Sequence, residues 1–292
     1  MSKLKISHII NPVKVGENSD LFAAQPITFE TMRRAKDFVR EEVEVNLLTT
    51  QYAEDREIIP ETFTITPDLE QSILDHGTFV KQRKLPFIGD IITRAIEFDP
   101  TADYIIYTNT DIGLMPHFYS FVHRRIQEGF DAFVINRRTI SKDYTLESLG
   151  RAYCEYGKKH PGFDCFVFKL KAACIYQLEK VCIGTTRIGL ALISNLIMHS
   201  VKFRIFTEEH ATFHLGEDQV WQNPELSDYV AHNEKEAMKV LKKLRAVNPE
   251  KFDSDAVIQK YYKALLKLKS EGNSEIKTEK KTTFYQRIFN KK

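Results

Sequence analysis

The feature that most limits what this chain can fold into is a repeated change of hydrophobic period. Short β-rich apolar runs alternate with stretches in which apolar residues recur every three or four positions. Residues 4–15 carry Ile6, Ile9, Ile10 and Val13 and end around Pro12 and Gly16, a first strand and its loop. Pro26-Ile-Thr follows, and Thr28 is placed to cap a helix on which Phe29, Met32, Ala35 and Val39 share a face. Val43, Val45 and Leu47 alternate as a second strand. A helix with Pro86 in its first turn runs through Ile88, Ile91, Ile92, Ala95 and Ile96. Tyr104-Ile-Ile-Tyr-Thr reads as a buried strand, residues 118–126 as a helix, and Asp131-Ala-Phe-Val-Ile-Asn as another strand. This alternation predicts an α/β fold, a three-layer α/β/α sandwich whose central sheet is mostly parallel and covered on both faces.

In the second half, residues 165–168 and 203–206 read as strands around a helix from about 184 to 199. Beyond Leu226 the pattern is helical, with Ala237, Val240, Leu241, Leu244 and Val247 on one face. The expected organisation is a catalytic or binding domain over residues 1–222, a helical C-terminal extension over 223–270, and a linker and basic tail over 271–292. The charge is uneven: 42 basic against 40 acidic residues overall, but eight against three from Lys267 to Lys292. The tail is therefore +5 and the remainder −3. Near-neutrality argues against nucleic acid as the partner, since that binding rests on neutralising phosphates. Phe284, Tyr285, Ile288 and Phe289 recur at helical spacing among Arg287, Lys291 and Lys292. The tail reads either as a peripheral contact with an anionic membrane or as an end that frays or packs on another subunit. Cys154, Cys165, Cys174 and Cys182 show no Cys-x-x-Cys spacing and are expected to be reduced and mostly buried. The first residues lack the apolar core of a signal peptide, and the longest apolar stretch, residues 188–198, is far short of the roughly 20 residues a membrane span needs. A cytoplasmic protein, in contact with the inner face of the plasma membrane if the tail binds there, is the expectation.

Three segments carry chemistry. In Tyr104-Ile-Ile-Tyr-Thr-Asn-Thr-Asp an apolar strand runs directly into Asn109 and Asp111, two residues apart and so able to face one side. An amide oxygen and a carboxylate are hard ligands suited to Mg²⁺ or Mn²⁺; the plainer reading is a turn whose aspartate caps the next helix. In His160-Pro-Gly-Phe-Asp-Cys-Phe-Val-Phe a turn delivers Asp164 to the head of a very apolar strand, where a carboxylate is expensive unless paired or functional. In His210-Ala-Thr-Phe-His-Leu-Gly-Glu-Asp, His214 is a candidate metal ligand, and Glu217 and Asp218 are either general bases or first-turn helix residues.

The order of these segments, Asn-x-Asp after a strand, Gly-x-Asp before a strand and a late histidine, resembles the nucleotide-diphospho-sugar glycosyltransferases of the GT-A fold, in a family-two-like form, over residues 4–221. The resemblance implies that Asp111, with Asn109, holds a divalent cation (Mn²⁺ or Mg²⁺) against the donor diphosphate. It further implies that His214 completes the ligand set and that Asp164, or alternatively Asp218, is the catalytic base. Asn11, Arg83, Asp90, Arg137 and Arg138 are candidates for contacts to the nucleotide or donor sugar, with arginine forks suited to phosphate oxygens; Arg83 reads more readily as part of a solvated surface pair with Lys84.

The family's usual first acid of Asp-x-Asp is Asn109 here. The usual Glu-Asp base motif precedes the last sheet strand, whereas Glu217-Asp218 follows it. The Gln-x-x-Arg-Trp motif of processive synthases is missing. Residues 4–20 hold a single glycine, Gly16, which argues against a nucleotidyltransferase with a glycine-rich phosphate loop. The expectation is a metal-dependent, inverting, hexosyltransferase-like enzyme. It would move sugar from a nucleoside diphosphate sugar to a carbohydrate or lipid-linked acceptor in glycan or cell-surface polysaccharide synthesis. The alternative is a catalytically silent nucleotide- or glycan-binding module.

Overall fold

The computed structural model describes residues 3–217 and 224–272. In chain order it contains β1 (Leu4–Ile10), α1 (Asp20–Val39), β2 (Val43–Thr49), β3 (Thr64–Ile65), α2 (Ile88–Phe98), β4 (Tyr104–Thr108), β5 (Gly113–Leu114), α3 (Phe118–Gln127), β6 (Ala132–Ile135), β7 (Arg138–Ile140) and α4 (Leu149–Ala152). There follow β8 (Lys158–Lys159), β9 (Cys165–Lys169), α5 (Leu170–Ala173), α6 (Ile188–His199), β10 (Phe203–Phe206), β11 (Thr212–Leu215), α7 (Ser227–Val247), α8 (Pro249–Ser254) and α9 (Ala256–Gly272). Seven strands form the main sheet in the order β10-β6-β9-β4-β1-β2-β3. β1 pairs in parallel with both β2 and β4, and β6 in parallel with β10; β9 alone runs antiparallel, between β4 and β6.

The three layers follow from strand alternation. Tyr104 and Ile106 of β4 face a core that α1 and α3 close with Phe29, Met32, Phe118 and Val122. Ile105 and Tyr107 face the opposite core, closed by Ile91 and Ile92 of α2 and by Leu192 and Leu196 of α6. The expected α/β/α sandwich with a mostly parallel sheet and a helical C-terminal region is thus what the chain forms. Ala237, Val240 and Leu241 of α7, Phe252 of α8 and Ile258 of α9 belong to that same second core. No helix among the described residues is long and apolar enough to cross a membrane.

Several local expectations are corrected. The first helix begins at Asp20 rather than Thr28: Ser19 Oγ accepts the Leu21 N–H, and Pro26 lies inside the helix. Thr28 is a buried helical residue, and its backbone carbonyl accepts from the Thr31 hydroxyl. The second helix starts at Ile88, with Phe87 and not Pro86 at its boundary. α6 starts at Ile188 rather than near residue 184, because Gly184 and Arg187 hold φ of 77° and 78°, outside the helical region. The four cysteines are free as expected, but only Cys165 and Cys182 are buried, while Cys154 and Cys174 are exposed. A second sheet, β5-β11-β7-β8, was not anticipated. It turns the segment holding His214 into a strand, antiparallel to β5 and parallel to β7. The aromatic stripe of the tail lies outside the described residues.

Candidate active site

The site starts at the carboxyl end of β4. β1 and β4 are parallel neighbours, but α1, which follows β1, and α2, which precedes β4, lie on opposite faces. Such a switch point, at the carboxyl ends of the strands, is the usual ligand position in open α/β sheets. Asn109, Thr110 and Asp111 leave β4 at this point. Asn109 Oδ1 accepts from the Tyr107 hydroxyl at 3.0 Å, and buried Thr110 Oγ1 donates to Gln25 Oε1 at 3.2 Å. Gln25 is itself clamped to the Val13 backbone at both its N–H and its carbonyl. The neighbours of Asp111 are thus anchored to α1 and to the loop after β1.

His214 reaches Asp111 because β11 is held between β5 and β7. Its Nε2 lies 3.3 Å from Asp111 Oδ2, and its Nδ1 is 2.9 Å from the Gly216 carbonyl. A carbonyl only accepts, so Nδ1 carries a proton and Nε2 is the atom presented to Asp111. Burial works against the imidazolium, but the Asp111 carboxylate and the Gly216 carbonyl carry the His214 pKa above the ordinary histidine value. The other oxygen of Asp111, Oδ1, is buried with no hydrogen-bond partner.

Asp164 arrives from the loop before β9 and is the third member. Its Oδ1 lies 3.4 Å from Arg137 Nη1, with both side chains about nine-tenths buried. Its Oδ2 is 3.4 Å from His160 Nδ1, but that nitrogen already accepts the Gly162 N–H at 3.1 Å. Oδ2 is consequently left without a hydrogen bond. Burial pushes the Asp164 carboxyl up; the Arg137 guanidinium, and then His160 and His214, more than offset it and hold the pKa below the usual carboxylate value. The Tyr107 hydroxyl feels both Asp111 and Asp164, which with burial raises its pKa. Asp111, His214, Asp164, Arg137, Tyr107 and Asn109 therefore form one neighbourhood.

The other sequence candidates have partners of their own. Asn11 ties the ends of β1 and β2 together through Nδ2 to the Thr50 carbonyl at 2.6 Å. Arg138 points to the other side of its strand from Arg137. Its guanidinium lies 3.8 Å over the Tyr156 ring and donates to the Tyr156 hydroxyl and the Glu208 carbonyl. Arg83 is held at its backbone N–H by the Tyr229 hydroxyl of α7. Asp90, in the first turn of α2, has its pKa raised by burial, against the opposing pull of Lys180, Arg94 and His76. No hydrogen bond or ion pair among the described residues joins Arg83 or Asp90 to Asp111 or Asp164. Asp218 lies outside the described residues, so the base alternative it represents has no geometry here. The helix leading into β10, α6, has no acid in its first turn, as the missing Glu-Asp motif at that point implied.

Sequence reasoning missed Gln25, Tyr107 and the role of His160. Tyr107 and Asn109 stand at i and i+2 on an extended segment, and His160 and Asp164 share one short loop, so both pairs carried a local signal. Gln25 carried none, since its partner is 85 positions away.

Among the described residues no group of three or more His, Cys, Asp or Glu side chains is placed to hold a metal. Asp111, with its unpartnered Oδ1, and His214 supply two donors. Two protein donors fit a cation whose remaining positions are filled by water and substrate phosphate oxygens, the common arrangement for Mg²⁺.

No protein-family model matches the sequence, and no curated protein sequence matches it. Among solved structures, the chain is similar to residues 1–349 of TarS from S. aureus in complex with UDP-GlcNAc, at 8% identity and a TM-score of 0.48, over 90% of this chain and 80% of that one. It is also similar to 4-diphosphocytidyl-2C-methyl-D-erythritol synthase from Anaerococcus prevotii, at 14% identity and a TM-score of 0.39, over 79% and 95%.

Proposed function

We propose that the chain is a glycosyltransferase that takes a sugar from a nucleoside diphosphate sugar, with Mg²⁺ or Mn²⁺ between Asp111, His214 and the donor diphosphate. One observation carries this reading. A buried, unpartnered carboxylate oxygen on Asp111 and an unpartnered oxygen on Asp164 stand with His214 at the carboxyl end of β4, beside the switch point of the sheet. Burying three such groups is costly, and two carboxylate oxygens without donors cannot repay that cost in stability. They are matched instead to ligands the protein takes up.

Each residue then has a task. Asp111 Oδ1 and His214 Nε2 would hold the cation, the histidine being neutral at Nε2 for that role, while the Gly216 carbonyl keeps the ring oriented. The cation, when bound, neutralises charge developing on the departing diphosphate. Asp164 is ionised at neutral pH and takes the acceptor hydroxyl proton at Oδ2. Its low pKa makes it a weak base in the ground state. Arg137 fixes its orientation and sets that pKa.

The test is a panel of sugar nucleotides incubated with and without Mn²⁺, read by release of nucleoside diphosphate. One donor is expected to be hydrolysed slowly in the presence of Mn²⁺, and Asp111→Asn is expected to reduce that rate by at least about 100-fold. Unchanged turnover in Asp111→Asn would refute the assignment. Asn109 keeps a second reading in view: its Oδ1 is occupied by Tyr107, so the site has one acid fewer than the family pattern. Donor binding with no turnover across the panel would favour a silent binding module.

A further inference from the structure

A hollow of about 530 Å³ opens beside the site, between the loop after β1, the first half of α1 and the segment after β2. Val15, Phe22, Phe29, Ile58, Pro60 and Leu146 line it. Two of these are large apolar side chains left exposed: Phe22 at 50% and Leu146 at 41%. They come from segments more than a hundred residues apart yet face one depression. Scattered exposed apolar residues need no explanation, but convergent ones do. The charged lining residues, Glu30 and Arg33, are spent on each other at 2.8 Å. The hollow therefore offers no free charge and suits an uncharged apolar group. Its volume lies in the usual range for small-molecule sites.

Two contacts connect it to the reaction neighbourhood. Gln25 lines the hollow and holds Thr110, the residue before Asp111. Phe22 also borders a second hollow of about 200 Å³, where Asn18, Ser19 and Lys142 present amide, hydroxyl and ammonium groups suited to sugar hydroxyls.

We infer that this pair of hollows is the acceptor site, and that the acceptor is amphiphilic, a sugar or polyol head carrying an uncharged alkyl or isoprenoid chain that lies against Phe22 and Leu146. The inference rests on the glycosyl-transfer reading for the word acceptor, but the apolar site itself does not depend on turnover. n-Octyl β-D-glucoside, below its micelle concentration, and methyl β-D-glucoside are the probes, titrated calorimetrically into the full chain. Each methylene removed from water adds about fourfold in affinity, so burial of three or four gives the octyl compound roughly a 100-fold advantage. Phe22→Asp and Leu146→Asp, at exposed positions on separate segments, should each remove most of that advantage and leave the thermal midpoint of unfolding in place. Equal affinity for the two glucosides overturns the inference, as does an octyl preference that survives both substitutions. If Mn²⁺-dependent donor hydrolysis is seen while the glucosides bind equally, the amphiphile is wrong and the transferase reading stands. If octyl preference is seen and no donor is turned over, the apolar site stands and the transferase reading falls.

Discussion

His8 offers a test of the folded state directly beneath the candidate site. It lies in the middle of β1, fully buried, with Nδ1 2.8 Å from the Tyr119 hydroxyl and Nε2 3.0 Å from Thr108 Oγ1, one residue before Asn109. A neutral imidazole has one N–H and one lone pair, and two hydroxyls satisfy both. No carboxylate contacts it, so nothing compensates a proton there, and burial pulls its pKa from 6.5 down to about 3. The unfolded chain protonates this histidine below about pH 6.5 and the folded chain does not. The folded pKa is the lower one, so stability is intact above the unfolded value and is lost as pH falls from there toward the folded value. At about pH 5 the linkage integral amounts to about 2 kcal/mol relative to about pH 7.5, and it approaches about 5 kcal/mol below the folded pKa. The assay is urea unfolding at both pH values for the native chain and for His8→Gln, which keeps an amide donor and acceptor but does not titrate. Carboxylates that protonate over the same interval contribute to both proteins and cancel in the difference. The variant should lose about 2 kcal/mol less than the native chain between the two pH values, whatever its stability at neutral pH. Equal losses would mean that His8 is protonated in the folded protein and that the account of its burial is wrong.

Two further outcomes follow from the site and its support. Arg137→Met leaves Asp164 buried without its cation, and should cost about 3 kcal/mol in urea unfolding at neutral pH, whereas Arg137→Met with Asp164→Leu should recover most of it; equal costs would show that the pair is not coupled. Gly113→Ala places a Cβ 2.4 Å from the Phe213 ring, which must push β11 away from β5 at a cost of about 1–3 kcal/mol and weaken Mn²⁺ affinity by shifting His214; an unchanged Mn²⁺ titration would dissociate the small sheet from the site.

What could be read in advance divides by distance along the chain. The period changes located eleven of the main elements, because the strands of a mostly parallel sheet buried on both faces are short apolar runs and the helices on it are amphipathic. The start of α1 was misplaced because the Pro26 signal outweighed Ser19, whose cap acts only two residues ahead. The start of α6 was misplaced because Arg187 adopts a positive φ that an arginine seldom takes. β5, β7, β8 and β11 run two to four residues each, too short for any period to register, and their pairings join residues from about 20 to about 100 positions apart. The site split the same way. Asp111 and Asp164 were legible from a single apolar strand beside each, whereas the separation of Arg137 from Arg138 depends on which side of one strand end each faces.

On the proposed glycosyl-transfer reading, that separation bears on which group takes the acceptor proton. α6 brings no acid to its first turn, Glu217 and Asp218 follow β11 rather than precede the last strand of the main sheet, and Asp164 is the one acid besides Asp111 that the described residues place beside His214. Arg138, turned the other way, is already engaged with Tyr156 and Glu208, so of the two arginines Arg137 is the one that acts on Asp164, with His160 and His214 adding to its pull. A base held ionised by a guanidinium is available over the whole neutral range but is weak. Its proton affinity rises only if the pull of Arg137 is relaxed as a donor phosphate competes for the guanidinium. A fork that reaches Asp164 Oδ1 and His160 Nε2 at 3.4 Å each, with Nε unpartnered, is loosely enough held for that competition. On the proposed transfer reading, donor binding would then raise the Asp164 pKa and so prepare the base.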